Sequence, residues 1–186
     1  VYSIRKKRFV TLEALSRLRH PELGWISPDV FIRLAEKNRL IDALTDLQLR
    51  RVCRFLKSHE DVARQIDSVK VNLSALNLMQ EHCAERLIAI LDEYALPHRL
   101  FQFEITETVA TEYSSRLSRA VDAFSQADIG LCLDDFGSGF ANLNTVTHLP
   151  FSAIKLDRSL LYHICTDARA ALFYQSIVYT FQRMGY

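Results

Sequence analysis

Short β-type runs alternate with long helical segments along the chain, and this alternation constrains the fold more than any other feature. Strand–helix–strand units of about thirty residues place successive strands side by side and parallel, because the helix crosses over between them. The pattern therefore predicts an α/β protein with a parallel sheet. The strand-like stretches are RFVTLEALSRL (8–18), SVKVNLS (68–74), LFQFEITET (100–108), IGLCLDD (129–135) and FSAIKLDRS (151–159).

The helical segments begin and end at recognisable residues. Ser27 is a candidate N-cap, and Pro28 suits the first helical position. Gly185 suits the end of the last helix. We predict helices over about 28–40, 41–57, 87–95, 115–127 and 167–184.

Two architectures fit this order of elements, an open doubly wound sheet and a (β/α) barrel. No glycine-rich dinucleotide fingerprint follows the early strands, which favours the barrel. A weaker strand-like run, VYSI (1–4), precedes the basic residues 5–8. We predict that this run pairs with the next strand as a hairpin and that the basic residues form a solvated turn.

Composition narrows the functions that need to be considered. The chain has 23 basic and 22 acidic residues, a net charge of +1, which indicates neither a nucleic-acid polymer nor an anionic membrane as partner. Its four cysteines are far apart and form no C-x-x-C pair, as is typical of a reducing cytoplasm. No apolar run approaches the ~18 residues of a membrane helix. We expect a cytoplasmic unit, either free or part of a membrane-anchored parent.

Each predicted strand carries polar residues near its C-terminal end. In barrel enzymes these ends meet at one mouth, where the chemistry takes place. Each residue alone has a structural explanation, such as a helix cap or a pair between Lys155 and Asp157. The recurrence in all five strands favours one shared site instead. Its candidate members are Glu13, Asn72, Glu104, Glu107, Asp134, Asp135, Lys155 and Asp157.

Acidic side chains that converge without a counter-charge raise one another's pKa values and destabilise the fold. Divalent cations resolve this conflict. The candidate ligands are carboxylates and one carboxamide, which favour Mg²⁺ or Mn²⁺ over Zn²⁺. Asp134 and Asp135 are adjacent and could each reach a different metal of a two-metal site, the usual arrangement for hydrolysing a phosphodiester. Lys155 would then contact the water or the phosphate as a point charge.

Five motifs in order resemble those of the EAL-domain family, the bacterial cyclic di-GMP phosphodiesterases. The resemblance implies a (β/α)8 TIM-like barrel with an antiparallel first strand. It also implies metal-dependent hydrolysis of cyclic di-GMP to linear pGpG, a homodimer, and a regulatory or sensor domain in the parent protein. The motifs are LEALSRLRHPELGWISPDVFIRLAE, VKVNLS, FEITET, LDDFGSGFANL and AIKLDRSLL.

The same resemblance implies a role for each matching residue. Lys155 corresponds to the catalytic lysine that contacts the nucleophilic water, and Glu13 and Asp134 also belong to the catalytic set. Arg17 corresponds to the arginine that holds a substrate phosphate, and Glu107 to the glutamate that steadies the glycine loop. The implied metal ligands are Glu13, Asn72, Glu104, Asp134 and Asp135.

The chain departs from the family pattern in its details and at its ends. Leu18 stands where tryptophan usually follows the arginine, and the glycine loop differs at four positions. The family's seventh strand, with a further catalytic glutamate, and its eighth strand lie outside the chain. We therefore expect residues 1–186 to form a C-terminally incomplete EAL domain whose polypeptide continues, or whose gap a partner chain covers. The loop differences are Ser138, Phe140, Ala141 and Asn142.

Two other functions remain open at this point. A non-hydrolysing member of the same family would bind cyclic di-GMP or a protein partner, although such members usually lack metal ligands that this chain retains. An unrelated metal-dependent barrel of the enolase type also gathers acids and lysines at strand ends. It predicts neither the asparagine of VNLS nor the Asp-Asp-Phe-Gly loop.

Overall fold

The computed structural model describes residues 1–107, 115–139 and 143–186. Thr108, the last residue of one predicted strand, and the loop positions Phe140, Ala141 and Asn142 lie outside these ranges. The strands in the described part are β1 Tyr2–Ser3, β2 Arg8–Phe9, β3 Thr11–Ala14, β4 Leu18–His20, β5 Gly24–Ile26, β6 Ser68–Asn72, β7 Phe101–Thr106, β8 Gly130–Phe136 and β9 Ala153–Leu156.

Helices connect the strands of the main sheet, as the sequence predicts. The described helices are α1 Pro28–Lys37, α2 Ile41–Ser58, α3 Glu60–Gln65, α4 Ala75–Leu78, α5 Cys83–Glu93, α6 Ser115–Gln126, α7 Leu143–His148 and α8 Ala168–Met184, with 3₁₀ turns at His98–Leu100 and Arg158–Leu161. None of them, over the residues described, is both long and apolar enough to cross a bilayer.

The main sheet has five strands in the order β3-β6-β7-β8-β9, and every pair is parallel. The order follows the chain, so each crossover joins neighbouring strands, as it does in a barrel wall. Strands β3 and β9 lie at the two edges of the sheet. The predicted parallel α/β sheet is therefore confirmed.

Two short antiparallel hairpins flank β3 in the chain, one before it and one after it. Strands β1 and β2 pair around the basic turn, as predicted. The prediction of one continuous strand over 8–18 is wrong, because that segment contributes to three different pairings in turn. Strands β4 and β5 form a second hairpin that the sequence did not predict, and Gly24 adopts the left-handed conformation there (φ 70°).

The longer helices match their predicted positions closely, and the shortest helices were missed. Asp167 caps α8 by accepting a hydrogen bond from the Arg169 N–H, and Gly185 ends α8 in the left-handed conformation. Ser27 precedes α1 but forms no capping hydrogen bond through its side chain. Helices α3, α4 and α7 span only four to six residues each, too few for a hydrophobic period to be visible.

The hydrophobic core lies between the outer face of the sheet and the helices. It determines which side chains of each strand point towards the helices. Phe101, Phe103 and Ile105 of β7 are fully buried. Phe103 packs against Phe124 of α6, with ring centroids 4.8 Å apart. Because side chains alternate along a strand, Glu104 faces the opposite, inner side of the sheet. Three of the four cysteines are buried, and Cys165 is exposed.

Candidate active site

Lys155 lies at the centre of a group of carboxylates on the inner side of the sheet. Its Nζ is 2.9 Å from Asp134 Oδ2, 3.0 Å from Glu104 Oε1 and 3.7 Å from Glu13 Oε2. The four side chains come from β3, β7, β8 and β9, which are spread across the whole sheet. The structure therefore brings these four predicted site residues together. Asp157 instead caps the following turn by accepting the Ser159 N–H, so the alternative Lys155–Asp157 pair is not formed.

A β-bulge explains how two adjacent acids reach the same site. Strands β8 and β9 pair at Leu133 and again at Phe136, and their register shifts between these points. Asp134 and Asp135 therefore lie together opposite Lys155 alone, where a regular strand would direct them to opposite faces. Asp135 adopts the left-handed conformation (φ 55°), and its N–H donates to Asp134 Oδ1 over 2.9 Å.

Burial and the nearby charges shift the pKa values of Lys155 and Asp135. Burial lowers the pKa of Lys155, but the hydrogen bond to Asp134 and the nearby Glu104 carboxylate outweigh burial and raise it overall. Burial raises the pKa of Asp135, and the negative charges of Asp134 and Asp157 raise it further. The Lys155 ammonium thus stays charged, and Asp135 is repelled by the carboxylates of Asp134 and Asp157.

Glu104 is the most enclosed acid of the site. Its side chain is 0% exposed, and a second lysine, Lys70 of β6, places Nζ 3.1 Å from the same Oε1 that Lys155 approaches. Both ammonium groups lie at ion-pair distance from Oε1 without hydrogen-bond geometry, and Oε2 has no donor among the described residues. Lys70 also donates to Cys132 Sγ over 3.0 Å. Burial, opposed by Lys70, raises the pKa of the Cys132 thiol.

Sequence reasoning did not identify Lys70 or Cys132. One signal was available, because Lys70 interrupts an apolar strand two residues before Asn72 and so shares its face. Asn72 itself is exposed at the end of β6, in register with Glu104 on β7. Its position beside the carboxylates is consistent with the predicted ligand role, which stays a prediction.

Glu107 contacts the start of the glycine loop. Its Oε2 accepts a hydrogen bond from the Gly137 N–H over 3.1 Å, and its Oε1 is buried without a partner among the described residues. Gly137 has φ 91°, and a Cβ there would lie 2.7 Å from Leu160 Cδ1. The left-handed backbone therefore favours glycine at this position, and a Cβ would in addition displace the Leu160 side chain.

We expect Gly137→Ala to lower the free energy of unfolding by about 1–2 kcal/mol, the usual cost of left-handed backbone for an L-residue. Urea denaturation measures this change. Gly139→Ala is the matched control, since a Cβ at Gly139 meets no atom within 4 Å and the backbone is not left-handed. Equal stability of the two variants would contradict the preference for glycine at Gly137.

Arg17 lies apart from the carboxylate group. It is exposed, and its Nη1 donates to the Ser16 carbonyl over 2.9 Å. In the described part of the chain it forms no ion pair with the site acids. Arg17 and Glu13 both line a cavity of about 1170 Å³ whose other walls are mainly apolar residues of α1 and α2. The predicted phosphate contact stays a prediction.

The acids are not arranged as a ready metal cage. Within the residues described, no group of three Asp, Glu, His or Cys side chains is placed to hold a metal ion. The Lys155 ammonium takes the central position among the carboxylates instead. The donor set nevertheless fits a hard divalent cation, because it consists of carboxylate and carboxamide oxygens and leaves the buried Oε2 of Glu104 without a donor.

A parallel sheet that carries acids and a lysine at its strand ends defines an α/β protein of the barrel-enzyme class. The family model of the EAL domain matches residues 1–186, so the chain belongs to the EAL domain family. The match covers every residue described above, including the bulge and both edge strands. It therefore confirms the resemblance inferred from the five motifs.

Curated relatives include proteins named as cyclic di-GMP phosphodiesterases. The chain is 34% identical over 173 residues to the cyclic di-GMP phosphodiesterase NbdA of Pseudomonas aeruginosa, which covers 93% of the chain and 22% of that protein. The chain thus spans about a fifth of that relative's length.

Solved structures share the fold. The PaMucR phosphodiesterase in complex with c-di-GMP has a TM-score of 0.79 and 30% identity, and the match covers 89% of this chain and 67% of that one. The FimX EAL domain of Pseudomonas aeruginosa bound to c-di-GMP has a TM-score of 0.83 over 94% of this chain and 69% of that one. At 19% identity the FimX match bears on the fold alone. These matches confirm the predicted TIM-like fold.

Proposed function

We propose that this domain hydrolyses cyclic di-GMP to linear pGpG with the help of Mg²⁺ or Mn²⁺. The observation that carries the proposal is the convergence of Glu13, Glu104 and Asp134 within 4 Å of the Lys155 ammonium. Membership of the EAL domain family and the phosphodiesterase named among its relatives support the same reaction. The c-di-GMP complex of PaMucR supports the choice of ligand.

The proposed metal ligands are the acids of this group and the neighbouring amide. When bound, the divalent cations activate a water molecule and stabilise charge on the leaving oxygen. Because the bulge places Asp134 and Asp135 together opposite Lys155, we propose that each of the two acids ligates a different cation. The unpartnered Oε2 of Glu104 offers a further oxygen. The ligand set is Glu13, Asn72, Glu104, Asp134 and Asp135.

Lys155 is the positively charged side chain at the centre of the proposed site, and its charge is present whether or not a metal ion is bound. Its raised pKa keeps the ammonium protonated, so Nζ can donate a hydrogen bond but cannot act as a base. We propose that it orients the attacking water or the phosphate as a point charge. Its contacts with Asp134 and Glu104 hold it at the middle of the site before substrate binds.

Two further residues act at the margin of the proposed site. Arg17 is exposed at the cavity that Glu13 also lines, and its guanidinium suits a phosphate oxygen of the substrate. Glu107 holds the Gly137 N–H and so restrains the loop that follows Asp135. Both roles follow the pattern of the family.

We place the domain in a larger cytoplasmic protein with a regulatory or sensor domain, and we propose that it functions as a homodimer. The share of the NbdA sequence that the chain spans supports the larger protein. The share of the two EAL structures that it covers supports closure of the sheet by strands outside residues 1–186.

Removal of divalent cations tests the reaction directly. With excess EDTA, we expect the intact protein that contains these residues to stop converting cyclic di-GMP, because the carboxylates then lack the cations that activate water. Mg²⁺ or Mn²⁺ added in excess of the chelator is expected to restore conversion. Chromatographic separation of cyclic di-GMP from pGpG measures both steps.

Hydrolysis that persists undiminished in EDTA would contradict the metal-dependent mechanism. Tight binding of cyclic di-GMP without conversion in Mg²⁺ or Mn²⁺ would instead identify a non-hydrolysing receptor. Equilibrium dialysis with labelled cyclic di-GMP distinguishes these outcomes from a protein that has simply lost its fold.

A further inference from the structure

Lys70 is a buried cation beneath the proposed site. The residue is 5% exposed and lies in the middle of β6, the second strand of the five-stranded sheet. Within the part of the chain that the structure describes, Lys70 Nζ has two side-chain partners. They are Glu104 Oε1 at 3.1 Å and Cys132 Sγ at 3.0 Å. Neither contact involves the sheet edges or the exposed surface.

A lysine in such a place requires a physical reason. Transferring an ammonium group out of water is costly unless a carboxylate compensates its charge. An apolar side chain would fill the same space without that cost. Cys132 accepts a hydrogen bond from this ammonium through Sγ, whereas Glu104 is the carboxylate at ion-pair distance from it. The charge of Lys70 is therefore balanced by Glu104.

Glu104 consequently has one oxygen between two cations and a second oxygen that forms no ion pair within the described residues. Lys70 and Lys155 approach Oε1 at 3.1 and 3.0 Å, so this oxygen faces positive charge from β6 and from β9. Oε2 is buried and has no donor among the described residues. This division orients the carboxylate and leaves Oε2 for an incoming ligand.

We propose that Lys70 is a positioning residue that acts on Glu104 as a built-in counter-cation. It keeps the buried carboxylate compensated when no metal is bound, and it weakens the binding of a divalent cation at the same carboxylate. This inference rests on the proposed function, because it assigns Glu104 to the metal site. It adds a residue that the predicted ligand set does not contain.

The consequence is a metal site with reduced affinity rather than a constitutively filled one. Two like charges near one carboxylate repel each other, so the Lys70 ammonium opposes an incoming divalent cation. Lys70→Met removes the charge and keeps a side chain of similar length. We expect Lys70→Met to bind Mn²⁺ about tenfold more tightly than the unaltered protein.

The experiment is calorimetric titration of Mn²⁺ into the intact protein without substrate. Lys70→Gln is the second neutral variant, which retains a hydrogen-bond donor and serves if Lys70→Met does not fold. Lys37→Met, at an exposed position in the last turn of α1, is the matched control and is expected to leave the Kd unchanged. Asp134→Asn reports whether the titrated site is the proposed one.

Tighter Mn²⁺ binding in both neutral variants, with Lys37→Met unchanged, is the expected result. Equal or weaker binding in the neutral variants overturns the role of Lys70. Mn²⁺ binding that Asp134→Asn does not affect removes the metal assignment of the proposed function, which is a different failure. No Mn²⁺ binding in any protein, the neutral variants included, overturns both.

Discussion

Asp134→Asn is expected to lower the rate of cyclic di-GMP hydrolysis by roughly 10³-fold, because a metal site contributes several kcal/mol of transition-state stabilisation and each 1.36 kcal/mol is a factor of ten. Asp134 is the acid nearest to Lys155, and it occupies the bulge opposite that residue. Asparagine keeps the Oδ1 that accepts the Asp135 N–H, so the bulge can persist. Initial rates of pGpG formation measure the loss.

The matched control, Asp128→Asn, also removes one carboxylate charge, but near the N-terminal end of β8 rather than the C-terminal end. Asp128 is exposed and lies just before β8, in a left-handed conformation that asparagine also tolerates. Asp128→Asn is expected to retain full activity. Circular dichroism and the melting temperature should be nearly unchanged for both variants. Undiminished turnover by Asp134→Asn would rule out its role in the proposed metal site.

Glu104→Gln is expected to lower the free energy of unfolding by about 3–5 kcal/mol, the usual cost of removing one partner from a buried ion pair. The substitution leaves Lys70, which is 5% exposed, without its counter-charge. Lys155 is affected less, since it retains Asp134 and Glu13. Urea denaturation without added metal measures the loss.

A double-mutant cycle separates this charge effect from a packing effect. If the loss arises from the uncompensated ammonium, the pair Lys70→Met and Glu104→Gln is expected to be more stable than Glu104→Gln alone. Lys37→Met combined with Glu104→Gln is the control and should behave additively. Additive losses for Lys70 and Glu104 would show that the two side chains are not energetically coupled.

Local patterns predicted much of the fold correctly. Helices α2 and α6 lie within a residue or so of their predicted bounds, because each is long enough for its hydrophobic period to be read. The hairpin of β4 and β5 was missed because its three-residue strands are mostly exposed and carry no alternating pattern. Its existence depends on pairing between segments rather than on either segment alone.

The strand-end residues were also predicted, but their mutual arrangement was not. Glu13, Glu104, Asp134 and Lys155 could be selected because polar side chains at the C-terminal ends of parallel strands meet at one face. That Lys155 lies between the three acids was not predictable, since it depends on the curvature and register of five strands. Arg17 shows the same limit, because its side chain lies outside the ion-pair group.

The sequence by itself determined the order of strands and helices and the set of acids at the strand ends. These properties depend on local propensity and periodicity, which are visible within one segment. Only the tertiary structure decided that Asp134 and Asp135 share a bulge opposite Lys155, and that Lys70 reaches Glu104 from the neighbouring strand. Both depend on the register between strands, and a shift of one residue would turn every one of these side chains to the other face.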